Sequence, residues 1–216
     1  MKTLSGDEHF YFGGMPAGFL LNDFWAWQAS DLLNNTLRGV LAEFIVATAL
    51  GNNISQARQD WDAYDLLYDN RWRIEVKSSA RLQSWEQKMP SRVQFSIRPT
   101  RAWSADEGYS KTVVRQSDIY TFCFFSCEVR DAANPLMLDQ WEFYLLPTFI
   151  INEKCGCQRS ISLSSLLDLH PEKSDYGILG ARMRRMLLRN TTTYAQDEID
   201  RLSEQIEMHE LLRANK

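Results

Sequence analysis

The sequence predicts an α/β (α+β) fold with a mostly helical C-terminal extension. Apolar residues recur at helical spacing from about residue 24 to 49, and a series of strand patterns follows between 63 and 146. Helical spacing returns after Pro147. The 216 residues, of which 44% are hydrophobic and 12% aromatic, are enough for one compact domain with additions.

The N-terminal third is predicted to contain an arm followed by helix. Residues 1–22 are rich in glycine and include Pro16, so we expect an irregular arm. The helical pattern that follows ends at Gly51-Asn52-Asn53, a stop signal, and predicts one long helix or two short ones. The core is expected to run from 23 to 147.

A β-hairpin is predicted at residues 63–78, with a three-residue loop at Asp69-Asn70-Arg71. This loop pairs Tyr68 with Trp72, Leu66 with Ile74, and Tyr64 with Val76. Side chains alternate across a strand, so Asp65 is placed opposite Glu75, and Lys77 shares their face. A two-residue loop would put Asp65 on the other face.

The remaining elements are predicted from apolar runs and from the turn and breaker residues between them. Predicted strands cover 93–97, 118–128 and 141–146, a loop or short helix covers 100–117, and helices are predicted at 162–169, 175–189 and 195–213. The extension, 148–216, is expected to pack on the core.

Two carboxylates beside an ammonium are a chemistry suited to a divalent-metal site for phosphodiester cleavage. Asp65, Glu75 and Lys77 provide that set. Glu-x-Lys alone is a weak motif, since Glu86-Gln87-Lys88 also matches it. The second match lies in polar surroundings just before Pro90, whereas Glu75 and Lys77 alternate with apolar strand residues.

With these residues, the segment from about 39 to 97 resembles the PD-(D/E)xK phosphodiesterase superfamily. The resemblance implies a restriction-endonuclease-like core, with a mixed central sheet flanked by helices. It also implies a site role for Glu43, on the preceding helix, and for Gln83, shortly after the lysine. The proline of the motif is absent, because Tyr64 precedes the aspartate, and Asp62 therefore stays an alternative to Asp65 as ligand.

The resemblance implies Mg²⁺-dependent hydrolysis of DNA, with Mn²⁺ as an expected substitute. Asp65, Glu75, the Val76 carbonyl and Glu43 would hold the metal, and Lys77 would orient water and stabilise charge at phosphorus. We expect an endonuclease, plausibly one acting in restriction or defence against foreign DNA. A non-catalytic nucleic-acid-binding or assembly subunit with the same fold is the alternative hypothesis, and an RNA-cleaving member is a third.

Residues expected to contact DNA lie in two parts of the sequence. Arg81 and Trp85 follow the motif, and Arg182, Arg184 and Arg185 cluster in a C-terminal helix, where a solvated helix face is the competing interpretation. We expect duplex DNA rather than single strands as substrate. A homodimer, and a partner protein that supplies recognition or a motor, are further hypotheses.

Other classes of protein are disfavoured by the sequence. No apolar run approaches the roughly 20 residues that span a bilayer, and the first residues lack the pattern of a secretory signal, so a cytoplasmic location without membrane attachment is expected. The net charge of −4 argues against a protein that coats nucleic acid. Three scattered histidines, and cysteines set mostly in apolar strand sequence, make a histidine-based or zinc site a poor hypothesis.

Overall fold

The computed structural model describes residues 3–52, 54, 63–101, 103–104, 108–189 and 196–214. Its strands are β1 (His9–Phe12), β2 (Met15–Leu20), β3 (Leu66–Tyr68), β4 (Trp72–Ala80), β5 (Gln94–Ser96), β6 (Trp103–Ser104), β7 (Gly108–Tyr109), β8 (Ile119–Phe125), β9 (Trp141–Pro147), β10 (Ser160–Ser162) and β11 (Glu172–Ser174). Its α-helices are α1 (Leu21–Ala29), α2 (Asn35–Leu50), α3 (Thr148–Cys155), α4 (Leu163–Leu167), α5 (Tyr176–Arg189) and α6 (Gln196–Ala214). Short 3₁₀ helices occupy Arg130–Ala132 and Leu138–Gln140.

A mixed five-stranded sheet in the order β11-β9-β8-β4-β3 forms the centre of the molecule. Strands β4 and β8 are parallel, and the other neighbours in this sheet are antiparallel. One face packs on α2 and α5, and the other packs on β5, β10, α3 and α4. This arrangement confirms the predicted α/β class with a mixed sheet between helices. None of the described helices is long and apolar enough to span a membrane.

Strand β8 is the middle of this core, because all seven of its residues are buried. Phe125 and Cys123 face α2 and α5, while Phe122 and Phe124 face the opposite layer. A strand covered on both sides is expected to read as a continuous apolar run, which is the pattern that predicted it.

Two helices, rather than one, occupy the predicted helical region. Helix α2 has its own N-cap, Asn34, whose side chain accepts hydrogen bonds from the N–H groups of Thr36 and Leu37. It ends at Gly51, which has a φ of 72°, a left-handed conformation that glycine adopts without strain. The stop predicted from the sequence is therefore confirmed.

The predicted hairpin register is confirmed in β3 and β4. Leu66 pairs with Ile74 and Tyr68 pairs with Trp72, across the loop Asp69–Arg71. Asp69 and Asn70 both have positive φ, 53° and 48°, which Asp and Asn tolerate better than most residues. The predicted pair of Tyr64 with Val76 lies outside the ladder, which begins at Leu66.

Several local predictions are corrected. The arm is not irregular: β1 and β2 form an antiparallel hairpin across Gly13 and Gly14, both left-handed, as a two-residue turn requires. In the 100–117 segment, predicted as a loop or short helix, the described residues include the short strands β6 and β7, and α3, β10 and β11 were not predicted. Short strands are set by their partners rather than by their own sequence, which explains why these strands were missed.

The helices predicted in the C-terminal extension are confirmed as α4, α5 and α6, with α4 shorter than expected. The extension also completes the sheets, since β11 pairs with β9 and β10 pairs with β5. The division into arm, core and extension stays a prediction.

One buried arginine connects three parts of this fold. The Arg115 guanidinium donates to the Ile97 carbonyl at 2.7 Å and to Asn152 Oδ1 at 2.8 Å. It also donates to the carbonyls of Gly156 and Gln158, at 2.9 and 3.2 Å, near the end of α3. These bonds join the end of the β5 segment to the loop that follows α3.

We predict that Arg115→Ala lowers the free energy of unfolding by about 3 kcal/mol, because the acceptors would lose a charged, multiply bonded donor. Urea denaturation followed by circular dichroism measures this change. Arg98→Ala, at an exposed arginine, is the matched control and is expected to stay within about 0.5 kcal/mol of the unmodified protein. Equal effects of the two changes would contradict the role assigned to Arg115.

Candidate active site

Asp65, Glu75 and Lys77 meet on one face of the β3–β4 hairpin. Lys77 Nζ lies 2.6 Å from Glu75 Oε1 and 3.4 Å from Asp65 Oδ2, so the ammonium bridges the two carboxylates. The three side chains are 18–25% exposed, so they are partly buried but still accessible to solvent. The structure therefore brings together the three residues on which the sequence-based site depends.

The backbone of β4 holds this group in place. Ile74 and Val76 are buried on the α2 side of the sheet, which turns the intervening Glu75 to the other side. The Val76 N–H donates to Asp65 Oδ2 at 2.7 Å, and the Asp65 N–H donates to the Ile74 carbonyl at 3.1 Å. Asp65 is thus fixed to β4 through both its main chain and its side chain.

The site has an excess of negative charge in a partly dehydrated place. Burial raises the pKa of Glu75, and the charges of Asp65 and Glu43 raise it further against the opposing effect of Lys77. Burial alone would lower the pKa of Lys77, but the neighbouring carboxylates Glu75 and Asp65 outweigh it and raise that pKa. Lys77 consequently stays protonated at neutral pH.

Tyr120 borders the site from the neighbouring strand, since it is the register partner of Glu75 in the β4–β8 pair. Burial, and then the Glu75 charge, raise the pKa of Tyr120 to about 12. The phenol therefore stays neutral across the physiological range and adds no charge to the site.

Glu43 is a buried residue of α2, the helix that packs on the Ile74 and Val76 side of the sheet. Its charge acts on Glu75 and on the buried thiol of Cys123, so it belongs to the same electrostatic environment. Within the described part of the chain, however, no three His, Cys, Asp or Glu side chains are grouped closely enough to hold one metal ion. A direct ligand role for Glu43 stays a prediction.

The donor set at the hairpin fits a divalent cation. Asp65 and Glu75 provide carboxylate oxygens, and the predicted third donor is the carbonyl of Val76, between Glu75 and Lys77. Magnesium prefers oxygen ligands and commonly uses one or two carboxylates while keeping several waters. A cation would also balance the excess of negative charge that raises the pKa of Glu75. Asp62, the alternative ligand, lies outside the described residues.

Gln83 lies in the segment that leaves β4, buried at 6% exposure. Its side-chain nitrogen donates to the Ala80 carbonyl at 3.1 Å, whereas its side-chain oxygen is buried without a hydrogen-bond partner among the described residues. Such an acceptor is costly to leave unpaired. The predicted catalytic role of Gln83 is not tested by these contacts.

Gln87 is a residue that the sequence reasoning treated only as part of a false motif. Its side-chain oxygen accepts from the Gln83 N–H at 2.7 Å, and its nitrogen donates to the Arg81 carbonyl at 3.1 Å and to Ser91 Oγ at 2.9 Å. It therefore shapes the loop next to the site. Nothing in its sequence spacing distinguishes it, because the contacts form only once the loop closes on itself.

Arg130, in the first 3₁₀ helix after β8, supports the same loop. It donates to the carbonyls of Gln83 and Trp85 at 3.0 and 2.8 Å. The Trp85 side chain, in contrast, is 55% exposed. Arg81 lies 2.9 Å from Glu128 and remains partly exposed. The predicted DNA contacts Arg81 and Trp85 thus share one supported loop.

The C-terminal arginines are engaged within the protein. Arg182 and Arg185 bind Glu172 on β11, at 3.0 and 2.6 Å, and Arg182 also pairs with Glu210 on α6. Arg184 donates to the Gly180 carbonyl of its own helix at 3.3 Å. These bonds hold α5 to its neighbours, and the predicted DNA contact of these arginines stays a prediction.

We predict that Glu75→Gln raises the melting temperature at pH 8 in EDTA. A carboxyl whose pKa rises on folding contributes stability below its unfolded value of 4.5, and that contribution is lost as the pH rises through the folded pKa. At pH 8, well above the unfolded value, Glu75 therefore destabilises the fold, and a neutral amide removes the penalty. Calorimetry from pH 8 down to pH 5 should show the difference shrinking as the pH falls.

Glu153→Gln, at an exposed carboxylate on α3, is the matched control and should give a small, nearly constant difference at each pH. A Glu75→Gln protein that melts below the unmodified protein at pH 8, or by a margin independent of pH, would contradict the assigned electrostatics.

The geometry can now be compared with known proteins. Residues 25–165 match the family described as bacteriophage T4 endonuclease IV, a stretch that contains Glu43, Asp65, Glu75, Lys77 and Gln83. No curated protein and no solved structure shows significant similarity to the chain. The matched stretch covers well over half of the sequence, and the chain therefore belongs to the bacteriophage T4 endonuclease IV family.

Proposed function

We propose that this protein is a Mg²⁺-dependent DNA endonuclease of the PD-(D/E)xK type, centred on Asp65, Glu75 and Lys77. The observation that carries the proposal is the bridge from Lys77 Nζ to both carboxylates, at 2.6 and 3.4 Å. An ordinary surface ion pair joins one cation to one carboxylate. Here Lys77 also lies beside a second carboxylate, Asp65, which the Val76 N–H holds in place. Membership of an endonuclease family supports the same chemistry.

Lys77 is the group that would act on the phosphate. It stays protonated because Glu75 and Asp65 raise its pKa, so it is a fixed cation rather than a general base. A fixed cation beside the scissile phosphorus stabilises the negative charge that grows in the transition state. Its position on β4 holds it rigidly next to the residues that would bind the metal.

Asp65 and Glu75 would hold the cation, with the Val76 carbonyl beside them and Glu43 adding negative charge from α2. A bound Mg²⁺ would supply Lewis acidity, lowering the pKa of a coordinated water and neutralising phosphate charge. Mn²⁺, which accepts similar oxygen ligands, is expected to substitute.

The segment that leaves β4, which includes β5, is the proposed DNA-binding surface. From residue 81 to 101 it has five basic residues and one acidic residue, although the whole chain has a net charge of −4. Basic side chains contact phosphates, and the exposed Trp85 is available to bases or sugars. Duplex DNA is the proposed substrate. The suggested role in restriction or defence stays a prediction.

The first test is cleavage of supercoiled plasmid, linear duplex and single-stranded DNA with Mg²⁺, Mn²⁺ or EDTA. We predict metal-dependent nicking, reduced by about 10²-fold or more in Lys77→Ala and in Glu75→Ala, because each removes a group that acts on the transition state or its metal. Lys154→Ala, at an exposed lysine of α3, is the matched control and should keep full activity.

Cleavage that continues unchanged in EDTA would exclude the metal-dependent mechanism. DNA binding with no cleavage by any form, under any of these metals, would favour the binding-subunit alternative instead.

A second test separates the proposed DNA surface from the C-terminal arginines. We predict that Trp85→Ala weakens DNA binding by about tenfold, and that Arg81→Ala reduces the slope of log affinity against log salt by about one. Arg182→Ala and Arg185→Ala should instead lower the melting temperature, because they break the pairs with Glu172. Fluorescence anisotropy at several salt concentrations measures the first pair of effects.

If Arg182→Ala and Arg185→Ala weaken DNA binding as much as Arg81→Ala does, without loss of stability, the C-terminal helix belongs to the DNA surface and the assignment made here is wrong.

A further inference from the structure

The N-terminal arm extends through α1 in the structure. From here on, the arm means β1, β2, α1 and the turn before them, which are joined to one another by hydrogen bonds. The N–H groups of Leu21 and Asn22 donate to the carbonyls of Glu8 and Gly6, both at 2.9 Å. The side chain of Asp23 accepts from the Leu20 N–H at 2.7 Å. No residue of β1 or α1 is buried.

One side of the hairpin is apolar and open. Phe12 lies directly across from Met15, and Phe10 contacts Phe19 with ring centroids 4.9 Å apart. The register shifts between His9 and Tyr11, but the extra residues lie on β2, so alternation along β1 still sets Phe10 and Phe12 on one face. These four side chains are 39–87% exposed. Trp27, on the helix that directly follows β2, is 83% exposed.

The exposed apolar area of the arm is too large for an ordinary monomer surface. Two large side chains of α1, Phe24 and Trp27, have ring centroids 6.4 Å apart and add to the four side chains of this face. Since an aromatic side chain carries about 150–250 Å², the exposed parts of these six amount to roughly 800 Å². The largest apolar patch on a typical monomer is about 300–600 Å², whereas each partner in a standard interface contributes about 800 Å².

DNA does not fit this surface. From residue 3 to 37 the chain has four acidic residues and no lysine or arginine, so phosphates would be repelled rather than bound. Two of the acids, Glu8 and Asp23, are already used by backbone N–H groups of the arm itself. Acidic side chains therefore lie around the apolar face, and none lies within it.

An isolated two-stranded hairpin is marginally stable in water and needs packing on one face. The apolar face of this hairpin has four large side chains and no charged one. Such a face can pack against an identical face across a twofold axis, as the inner faces of two sheets do. Twofold dimers of this kind are by far the commonest oligomers.

We propose that two copies of this chain associate through their arms, with the apolar faces of the two hairpins packed together and α1 at the edge of the interface. The area on each side matches what a stable dimer requires. The inference does not depend on the nuclease proposal, because the residues of the arm and those around Lys77 do not overlap.

Sedimentation velocity of the full-length protein, from about 1 to 100 µM, tests the proposal. We expect a dimer for the unmodified protein, and at least a hundredfold weaker association for Phe12→Glu and for Trp27→Glu. Leu136→Glu, at a leucine that is 66% exposed between the two 3₁₀ helices, is the matched control and should remain a dimer.

Circular dichroism distinguishes loss of association from loss of folding. Both variants are changed at exposed positions and should keep the secondary structure of the core. A monomeric unmodified protein across this range would overturn the proposal and assign the arm to a different protein partner. A dimer that persists in Phe12→Glu and Trp27→Glu would place the interface elsewhere. The unmodified protein should also melt at a higher temperature as its concentration rises.

Discussion

The pairing of β3 with β4 is the constraint on which the candidate site depends. Leu66 opposite Ile74 brings the preceding residue, Asp65, to the side of β4 that carries Glu75. The Val76 N–H then binds the Asp65 carboxylate at 2.7 Å. A shift of the register by one residue would send every side chain of β3 to the other face. The turn at Asp69–Arg71, which tolerates two positive φ angles, therefore fixes the chemistry several residues away.

The core accepts an electrostatic cost at this hairpin. Burial and neighbouring carboxylates raise the pKa of Glu75, so its ionised form is less favourable in the folded chain than in water. Strand β4 is held against that cost by the buried β8, which pairs with it in parallel over seven positions. Surplus negative charge on a rigid strand is what the proposed cation site requires, because the carboxylates are already held in place by the fold.

What could be predicted from the sequence was the part that depends on local periodicity. Glu75 and Lys77 alternate with buried Ile74 and Val76, and a turn signal sits between two strand patterns, so the hairpin followed from nearby residues alone. The roles of Gln87 and Arg115 could not be predicted, because each bonds to backbone groups that come together only after folding. Strands β10 and β11 are three residues each, too short for a period, and they exist because β5 and β9 offer free edges.

The arginines show how burial distinguishes stretches that composition does not. The cluster in α5 and the basic loop after β4 look alike in sequence, since both place several cations within a short stretch. In the fold, Arg182 and Arg185 are 12–15% exposed and share Glu172, so turning them outward to bind a phosphate would leave a partly buried carboxylate without its partners. Arg81 pairs with an exposed glutamate, Glu128, and a surface pair of that kind costs little to break. The balance of desolvation, rather than the number of charges, therefore favours the proposed DNA-binding surface beside Lys77 over the C-terminal arginines.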